Sequence, residues 1–307
     1  MNRKYILIVG SGRTSTTALS KIFADSNNSI AYLPELKFFF VALSNRKNIK
    51  DPVSLYSRTL SKFLKFNSSY SQQINFNKSV EKFQEIFSNK KMSNNEMYKF
   101  ILDFLIDETL FNKLYDYYIL QTPGNLFMLD LKDKVLSNKY IIYTVRDSRS
   151  FISSAYCGKR KFADNLIKVV VYWNYCAKVL KLMMKKYQGI LIKQEELLLN
   201  EEEQIHKISN FLSIPLDYKE QTNLINSSFE HKNKEETLFS YKKFLTDNDI
   251  KMVESFTQRY FEYEERLETE YPNLKITLNY YLHYFKTIIS QFLRVNGYSN
   301  LLYKIKK

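Results

Sequence analysis

Tyr5-Ile-Leu-Ile-Val-Gly-Ser-Gly-Arg-Thr-Ser-Thr-Thr17 decides how the rest of the chain is read. Tyr5 to Val9 is a short, nearly all-apolar run, the pattern of a parallel strand covered on both faces. Gly10 to Thr17 follows as a turn of small polar residues, and beyond it Ala18, Leu19, Ile22 and Phe23 take helical spacing. Strand, small-residue loop and helix in that order let consecutive backbone N–H groups and the helix dipole converge on an anion such as a phosphate. An ordinary solvated strand-to-helix turn fits this loop alone equally well. The loop is not a Walker A sequence, because the Gly-Lys-Ser/Thr ending is absent and Arg13 is the one strong cation inside the turn. That argues against a plain nucleoside triphosphatase.

The same grammar returns twice. Lys139 to Val145 is a second apolar run before a charged loop and a helix. Gly189-Ile-Leu-Ile192 is a third, ahead of an acidic stretch from Glu195 to Glu203 and a helix carrying Ile205, Ile208, Phe211 and Leu212. Strands separated by helices predict an α/β fold of three layers with a mostly parallel central sheet, a P-loop-like nucleotide site and helical insertions. Ligands of such sheets lie at the carboxyl ends of the strands. From about 45 to 118 the chain is rich in Asn, Ser, Lys and aromatics, with helical patterning from Val80 to Tyr118, and reads as a helical insertion. The expected organisation is one domain over residues 1–275 and a basic, aromatic helical tail over 276–307. The tail is expected to pack on the domain, with peripheral membrane contact as the alternative.

The chain of 307 residues carries a formal charge of +14, so it attracts anions. Its basic residues are spread along the sequence and interleaved with acids, which disfavours a nucleic-acid partner. Cys157 and Cys176 make neither a metal-ligand spacing nor a disulfide framework, and a cytoplasmic, reducing setting is expected. Tyr5 to Val9 runs straight into a glycine-containing turn and so reads as a core strand rather than a secretory signal. No apolar run approaches the roughly 18 residues of a membrane span.

Gly10, Arg13, Thr16 and Thr17 fall in step with a strand followed by Gly-x-x-Arg/Lys-Ser-Gly-Thr-Thr, and here the chain resembles the sulfotransferases that use 3′-phosphoadenosine 5′-phosphosulfate (PAPS). Ser15 stands where that family usually has glycine. Ile141-Ile-Tyr-Thr-Val-Arg-Asp-Ser-Arg-Ser-Phe-Ile-Ser-Ser-Ala-Tyr156 is similar to the family's second signature, with Arg146 and Ser154 matching its arginine and serine. Gln121-Thr-Pro-Gly-Asn resembles a Lys-Thr-Pro segment with glutamine replacing lysine. Gln194-Glu-Glu-Leu-Leu and Ile208-Ser-Asn-Phe-Leu-Ser-Ile-Pro215 resemble Tyr-Glu-Asp-Leu and Phe-Leu-Gly-hydrophobic-Pro, with Gln194 in place of an adenine-contacting tyrosine. Ser240 to Thr246 is similar to a late segment that places a basic residue, here Lys242 or Lys243, near the 3′-phosphate.

The resemblance implies sulfuryl transfer from PAPS to a hydroxyl or amine acceptor, a carbohydrate or glycolipid-like molecule, without a metal. Ser11, Gly12, Arg13, Thr14, Ser15, Thr16 and Thr17 would hold the 5′-phosphosulfate, with Arg13 stabilising charge near the scissile bridge. Arg146 and Ser154 would hold the 3′-phosphate. Glu35, followed by the paired aromatics Phe38 and Phe39 as in glycan-modifying members, is the candidate base; its bland alternative is an ion pair with Lys37 or Arg13. His206, His231 and His283 are far apart and suggest no metal cluster. Asp147, Arg149 and Lys159 to Lys161 are candidate groove residues, with solvated charge as the default. Two other classes stay open at this point: a kinase-like phosphotransferase, and a non-catalytic basic protein binding anionic polymers.

Overall fold

The computed structural model describes residues 3–44, 51–88, 90–122, 124–158, 165–217 and 234–257, together with 278, 281, 282 and 285 of the tail. Five parallel strands form one sheet in the order β2-β3-β1-β4-β5. They are β1 (Lys4–Gly10), β2 (Ile30–Ala31), β3 (Tyr117–Leu120), β4 (Lys139–Val145) and β5 (Ile190–Lys193). Along β1 the side chains alternate between two cores. Tyr5, Leu7 and Val9 join a large cluster on one face, while Ile6 and Ile8 join a smaller one on the other. Helix α1 (Thr16–Ser26) supplies Leu19, Ile22 and Phe23 to the smaller core. Sheet and helices on both faces are the expected three layers.

β2 ends at Ala31, and Glu35 lies in the loop that leads to α2 (Phe38–Ser44). β3 was not foreseen, because Tyr117-Tyr-Ile-Leu follows a long helical pattern without a turn signal of its own. Between β2 and β3 the described chain also forms α3 (Pro52–Phe66), α4 (Ser68–Ser71), α5 (Phe76–Phe87) and α6 (Asn94–Thr109). Their starts are written locally. Asp51 caps α3 with Pro52 at its first position, Asn75 caps α5, and Ser93 with Glu96 closes a capping box on α6. The insertion is tied to the sheet by charge: Tyr5 donates to Asp103 at 2.5 Å, and Arg3 pairs with Asp103 and Asp107.

After β3 the chain makes a short 3₁₀ turn (Asn125–Met128), α7 (Leu129–Val135), β4, α8 (Ser148–Tyr156) and α9 (Leu166–Lys186). Beyond β5 come α10 (Gln194–Leu199), α11 (Glu201–Leu212), α12 (Lys234–Leu238), α13 (Ser240–Phe244) and α14 (Asp247–Phe256). Trp173 is buried in α9, and Phe38 and Phe39 are buried at the start of α2. Leu278, Tyr281, Leu282 and Phe285 are helical and exposed. The rest of the expected tail, and Lys159 to Lys161, lie outside the described residues.

Gly10 closes β1 opposite Thr144 of β4. A Cβ at Gly10 would meet the Thr144 hydroxyl at 2.2 Å, the Thr14 hydroxyl at 2.6 Å and the Thr144 carbonyl at 2.8 Å. Only a glycine lets the two strands and the following loop approach this closely. Gly10→Ala is therefore expected to lower unfolding free energy by roughly 2 to 3 kcal/mol in chemical denaturation, through overpacking that the sheet cannot relax.

Candidate active site

The loop from Ser11 to Ser15 turns on backbone angles that side chains rarely adopt. Gly12, Arg13 and Ser15 have φ of 58°, 60° and 58°. Alternation of left-handed and ordinary residues in a loop points successive N–H groups toward one concavity. Ser15 occupies the N-cap of α1 in the left-handed region and its side chain makes no cap hydrogen bond. The first amides of α1 thus gain nothing from their cap residue's side chain, the usual neutraliser of a helix N-terminus. Thr14 is buried and its hydroxyl lies 2.9 Å from that of Thr144, so it fastens the loop to β4 rather than facing a ligand. Ser11 and Thr16 are buried, Arg13 is half-buried and Thr17 is exposed.

The second signature arrives at the same place. Register pairs Val145 of β4 with Lys193 of β5, so Arg146 and Gln194 leave adjacent strand ends together. Arg146 is 2 % exposed, and its guanidinium donates to the Arg13 carbonyl at 3.5 Å and the Thr237 carbonyl at 3.4 Å. Both bonds are long. Burial pulls its pKa down to about 10, against the opposing pull of Glu195 and Asp147. Arg146 still carries its charge at neutral pH. Ser154 on α8 is fully buried, and its hydroxyl has no hydrogen-bond partner. Gln194 is 4 % exposed with its side-chain carbonyl oxygen equally unpartnered. Buried polar atoms left in this state are costly unless something else satisfies them.

Beside these groups sits Glu195, which accepts a hydrogen bond from the Asp147 amide at 3.0 Å. Burial raises its pKa to about 7, although Arg146 pulls the other way. On the opposite side of the loop, Thr17 donates to the side-chain oxygen of Gln121 at 3.2 Å, linking α1 to the end of β3. Glu35 is about one-third exposed, 3.8 Å from the Lys37 ammonium. Asn125 donates to the Leu120 carbonyl at 2.8 Å and holds the turn after β3.

A loop of left-handed residues at one strand end and a buried arginine from the next therefore meet, with the Ser154 hydroxyl and the Gln194 side-chain oxygen buried and unpartnered. Residues 6–218 match the model of a family described as the sulfotransferase family. The chain belongs to the sulfotransferase family. Its chemistry is transfer of a sulfuryl group, from a sulfonate donor. Among solved structures it is similar to the sulfotransferase domain of the Synechococcus PCC 7002 olefin synthase, at 14 % identity and a TM-score of 0.53, over 84 % of this chain and 96 % of that one. A sulfotransferase domain from the curacin biosynthetic pathway matches at 13 % identity and a TM-score of 0.47, over 88 % and 99 %. The first likeness shows the fold, which for this sulfotransferase is the P-loop-like α/β sandwich. A comparison with curated proteins finds no match. No helix among the described residues is long and apolar enough to cross a membrane, and none of their His, Cys, Asp and Glu side chains group as metal ligands.

Not every charged residue of the second signature faces the site. Asp147 and Arg149 are each 2 % exposed and bind one another at 2.6 Å, with Arg149 also 3.0 Å from Glu254 and over the ring of Tyr241. They lock α8 to α13 and α14 rather than lining a groove. Lys242 and Lys243 are exposed, with the ammonium of Lys242 near the rings of Phe239 and Tyr241 and that of Lys243 near the ring of Phe244. Upstream of that segment, the Thr237 carbonyl accepts from Arg146 and the Leu238 carbonyl accepts from Ser150 at 2.9 Å. Glu195 was missed by sequence reasoning. Its signal was the Gln-Glu-Glu segment itself, whose second residue follows a strand end.

Ser15 is the clearest local cost in the sulfotransferase loop. Left-handed backbone with a Cβ is unfavourable by about 1 to 2 kcal/mol, partly offset in a glycine variant by its freer unfolded chain. Ser15→Gly is expected to stabilise the protein by roughly 0.5 to 1 kcal/mol, read from denaturant midpoints at constant slope. Glu195 gives a second expectation. An acid whose folded pKa of about 7 exceeds its ordinary 4.5 binds more protons folded than unfolded between those values. Its contribution to stability therefore falls as pH rises from about 4.5 to about 7. Glu195→Gln is expected to flatten the stability profile across that window, measured by denaturation at several pH values.

Proposed function

We propose that the sulfuryl donor is PAPS and that the acceptor offers a hydroxyl or amine, on a carbohydrate or glycolipid-like molecule. The observation that carries this reading is Arg146 reaching from the end of β4 to the carbonyl of Arg13 in the phosphate loop, with the hydroxyl of Ser154 buried and unpartnered. A planar guanidinium and a neutral donor suit a phosphate monoester separate from the one the loop would take. That is the need of a nucleotide with both a 3′-phosphate and a 5′-phosphosulfate. The loop amides of Ser11 to Ser15 and the start of α1 hold the 5′ end, with Thr16 and Thr17 beside it. The side-chain oxygen of Gln194 offers an acceptor for the exocyclic amine of adenine, in place of ring stacking.

In this reading an acceptor oxygen or nitrogen attacks sulfur in line, its bond to sulfur forms, and the bond from sulfur to the 5′-phosphate oxygen breaks. Charge then grows on the departing phosphate, where Arg13 and the loop amides stabilise it. Glu35 takes the acceptor's proton. Its loop joins β2 to α2, with the Lys37 ammonium 3.8 Å from the carboxylate. Residues 1–275 act as one catalytic domain, and the exposed apolar side chains of Leu278, Tyr281, Leu282 and Phe285 suit a tail that contacts a surface.

Calorimetric titration with 3′-phosphoadenosine 5′-phosphate, beside ADP and ATP at one fixed salt, tests the donor assignment. Saturable binding that prefers the 3′-phosphorylated nucleotide is expected, weakened about 10- to 100-fold in Arg146→Ala by loss of charged hydrogen bonds. Equal affinity for ADP would remove PAPS as the donor. Glu35→Gln is expected to bind the nucleotide as wild type does while turnover falls by about 10²- to 10⁴-fold. Unchanged turnover would show that another group takes the proton.

A further inference from the structure

A cavity of about 230 Å³ opens in the helical insertion between β2 and β3. α5 lines it with Lys78 and Lys82, and the end of α6 lines it with Glu108, Phe111 and Asn112. It holds one six-membered ring and lies below the roughly 300 Å³ at which sites for drug-sized molecules begin.

Phe111 is the unusual part of this wall. α6 closes with the Asn112 amide donating to the Asp107 carbonyl at 2.8 Å and the Phe111 amide directed at the Glu108 carbonyl, a cap whose left-handed residue is ordinarily glycine. Here Phe111 and Asn112 take φ of 52° and 60°. Asparagine tolerates that region, but a bulky side chain there is an outlier. Burial does not offset the strain, because Phe111 is 52 % exposed. Its ring lies parallel to that of Tyr70, with planes at 5° and centres 6.5 Å apart, so the strained backbone holds a flat apolar face at the cavity. Strain of this kind collects at ligand sites.

The polar lining is fixed from the core. Tyr56 bonds to the buried Ser79, Ser79 donates to Glu108 at 2.8 Å, and Lys82 holds the other Glu108 oxygen at 2.9 Å. These bonds use two of the about four acceptor positions of a carboxylate. Among the described residues, the side chains of Gln73, Lys78 and Asn112 at this cavity make no hydrogen bond or ion pair within the protein, and all three are exposed. An apolar guest would strip water from these groups without replacing it. A phosphate drawn to Lys78 would meet the Glu108 carboxylate. A pyranose suits both kinds of surface, with the C–H bonds of one face against the electron-rich face of Phe111 and its hydroxyls, each donor and acceptor, toward the amides and Glu108.

Contacts lead from the cavity to the Glu35 loop. Lys37, 3.8 Å from the Glu35 carboxylate, places its ammonium 3.4 Å from the ring centre of Phe66. Phe66 ends α3 and is 61 % exposed, and Tyr70, which stacks on Phe111, follows four residues later. We propose that the cavity is a saccharide subsite, holding one pyranose ring of a glycan acceptor against Phe111 while another sugar of the same chain is presented to Glu35. This rests on the carbohydrate reading of the acceptor and gives that acceptor more than one sugar unit. Phe111 is a recognition residue and takes no part in bond making.

The test uses the full chain, with and without saturating 3′-phosphoadenosine 5′-phosphate. Maltotriose, cellotriose and chitotriose are the probes, and sorbitol, an open-chain polyol without a ring face, is the control. Saturation-transfer NMR reads binding, and hydrogen exchange with peptide mass spectrometry locates it. At least one trisaccharide is expected to bind saturably and to slow exchange in segments 73–82 and 108–112, with sorbitol having no effect. Phe111→Gly is expected to weaken that binding by about threefold or more through loss of the aromatic face, and to leave nucleotide affinity unchanged. Glycine accepts the left-handed cap, so this variant retains the fold. Absence of saturable binding by all three sugars, protection confined to other segments, or undiminished binding in Phe111→Gly overturns the proposal. The exchange arm needs no variant. Turnover with PAPS is read separately: a trisaccharide seated in the cavity but never sulfated counts against the carbohydrate acceptor while the saccharide site stands, and sulfation of a trisaccharide that leaves the cavity unprotected removes the subsite alone.

Discussion

The contact between the end of β1 and the end of β4 governs the site. Gly10 and Thr144 face each other with no room for a Cβ, and Thr14 bonds to the Thr144 hydroxyl just beyond. Because the strands meet this closely, the loop that leaves β1 is pressed onto the residue that leaves β4. Arg146 then lies within reach of the Arg13 carbonyl. Two stretches separated by more than a hundred residues are brought together through a single steric fit. A parallel sheet makes this possible, since every strand delivers its loop to the same edge.

That edge concentrates buried charge at a cost to stability. Arg146, Glu195, Asp147, Arg149 and Glu254 are all nearly inaccessible. They divide by how well they are satisfied. Arg149 has two carboxylates and an aromatic face, a paired arrangement that fixes α8 against α13 and α14. Arg146 has only long bonds to carbonyls, with Glu195 nearby and partly neutralised by its own burial. A fully paired arginine and a poorly satisfied one thus follow the same strand end.

How much of this could be read in advance depended on whether a residue's role was local. The first strand, the phosphate loop and α1 were legible because apolar run, small-residue turn and helical spacing follow one another directly. Arg146 and Ser154 were legible only through resemblance, since an arginine and a serine near a turn are ordinary surface residues by composition. The fates of Asp147 and Arg149 were not legible at all: Glu254, which holds Arg149 from α14, is about a hundred residues away. β3 escaped because a four-residue strand buried between others needs no alternation and was preceded by a long helical pattern. Lys132 lies among Asp130, Asp133 and Lys134 in the sequence, and its spacing from Leu129 and Val135 places it on the buried face of α7.

Ser15 shows how such departures should be weighed. A serine where the family has glycine put the loop's dihedral angles in question, yet the backbone takes the left-handed geometry with φ of 58°. The cost is of the order of one kcal/mol, well within what a sheet of this size can bear. What the serine cannot do in that conformation is cap α1, and its side chain makes no such bond. The substitution therefore strains the loop without supplying a competing ligand for the helix amides. A residue that broke the site would do the opposite, relaxing the backbone and filling the cradle with its own oxygen. By this measure Ser15 leaves the first amides of α1 uncapped by its side chain, and the substitution bears on backbone strain.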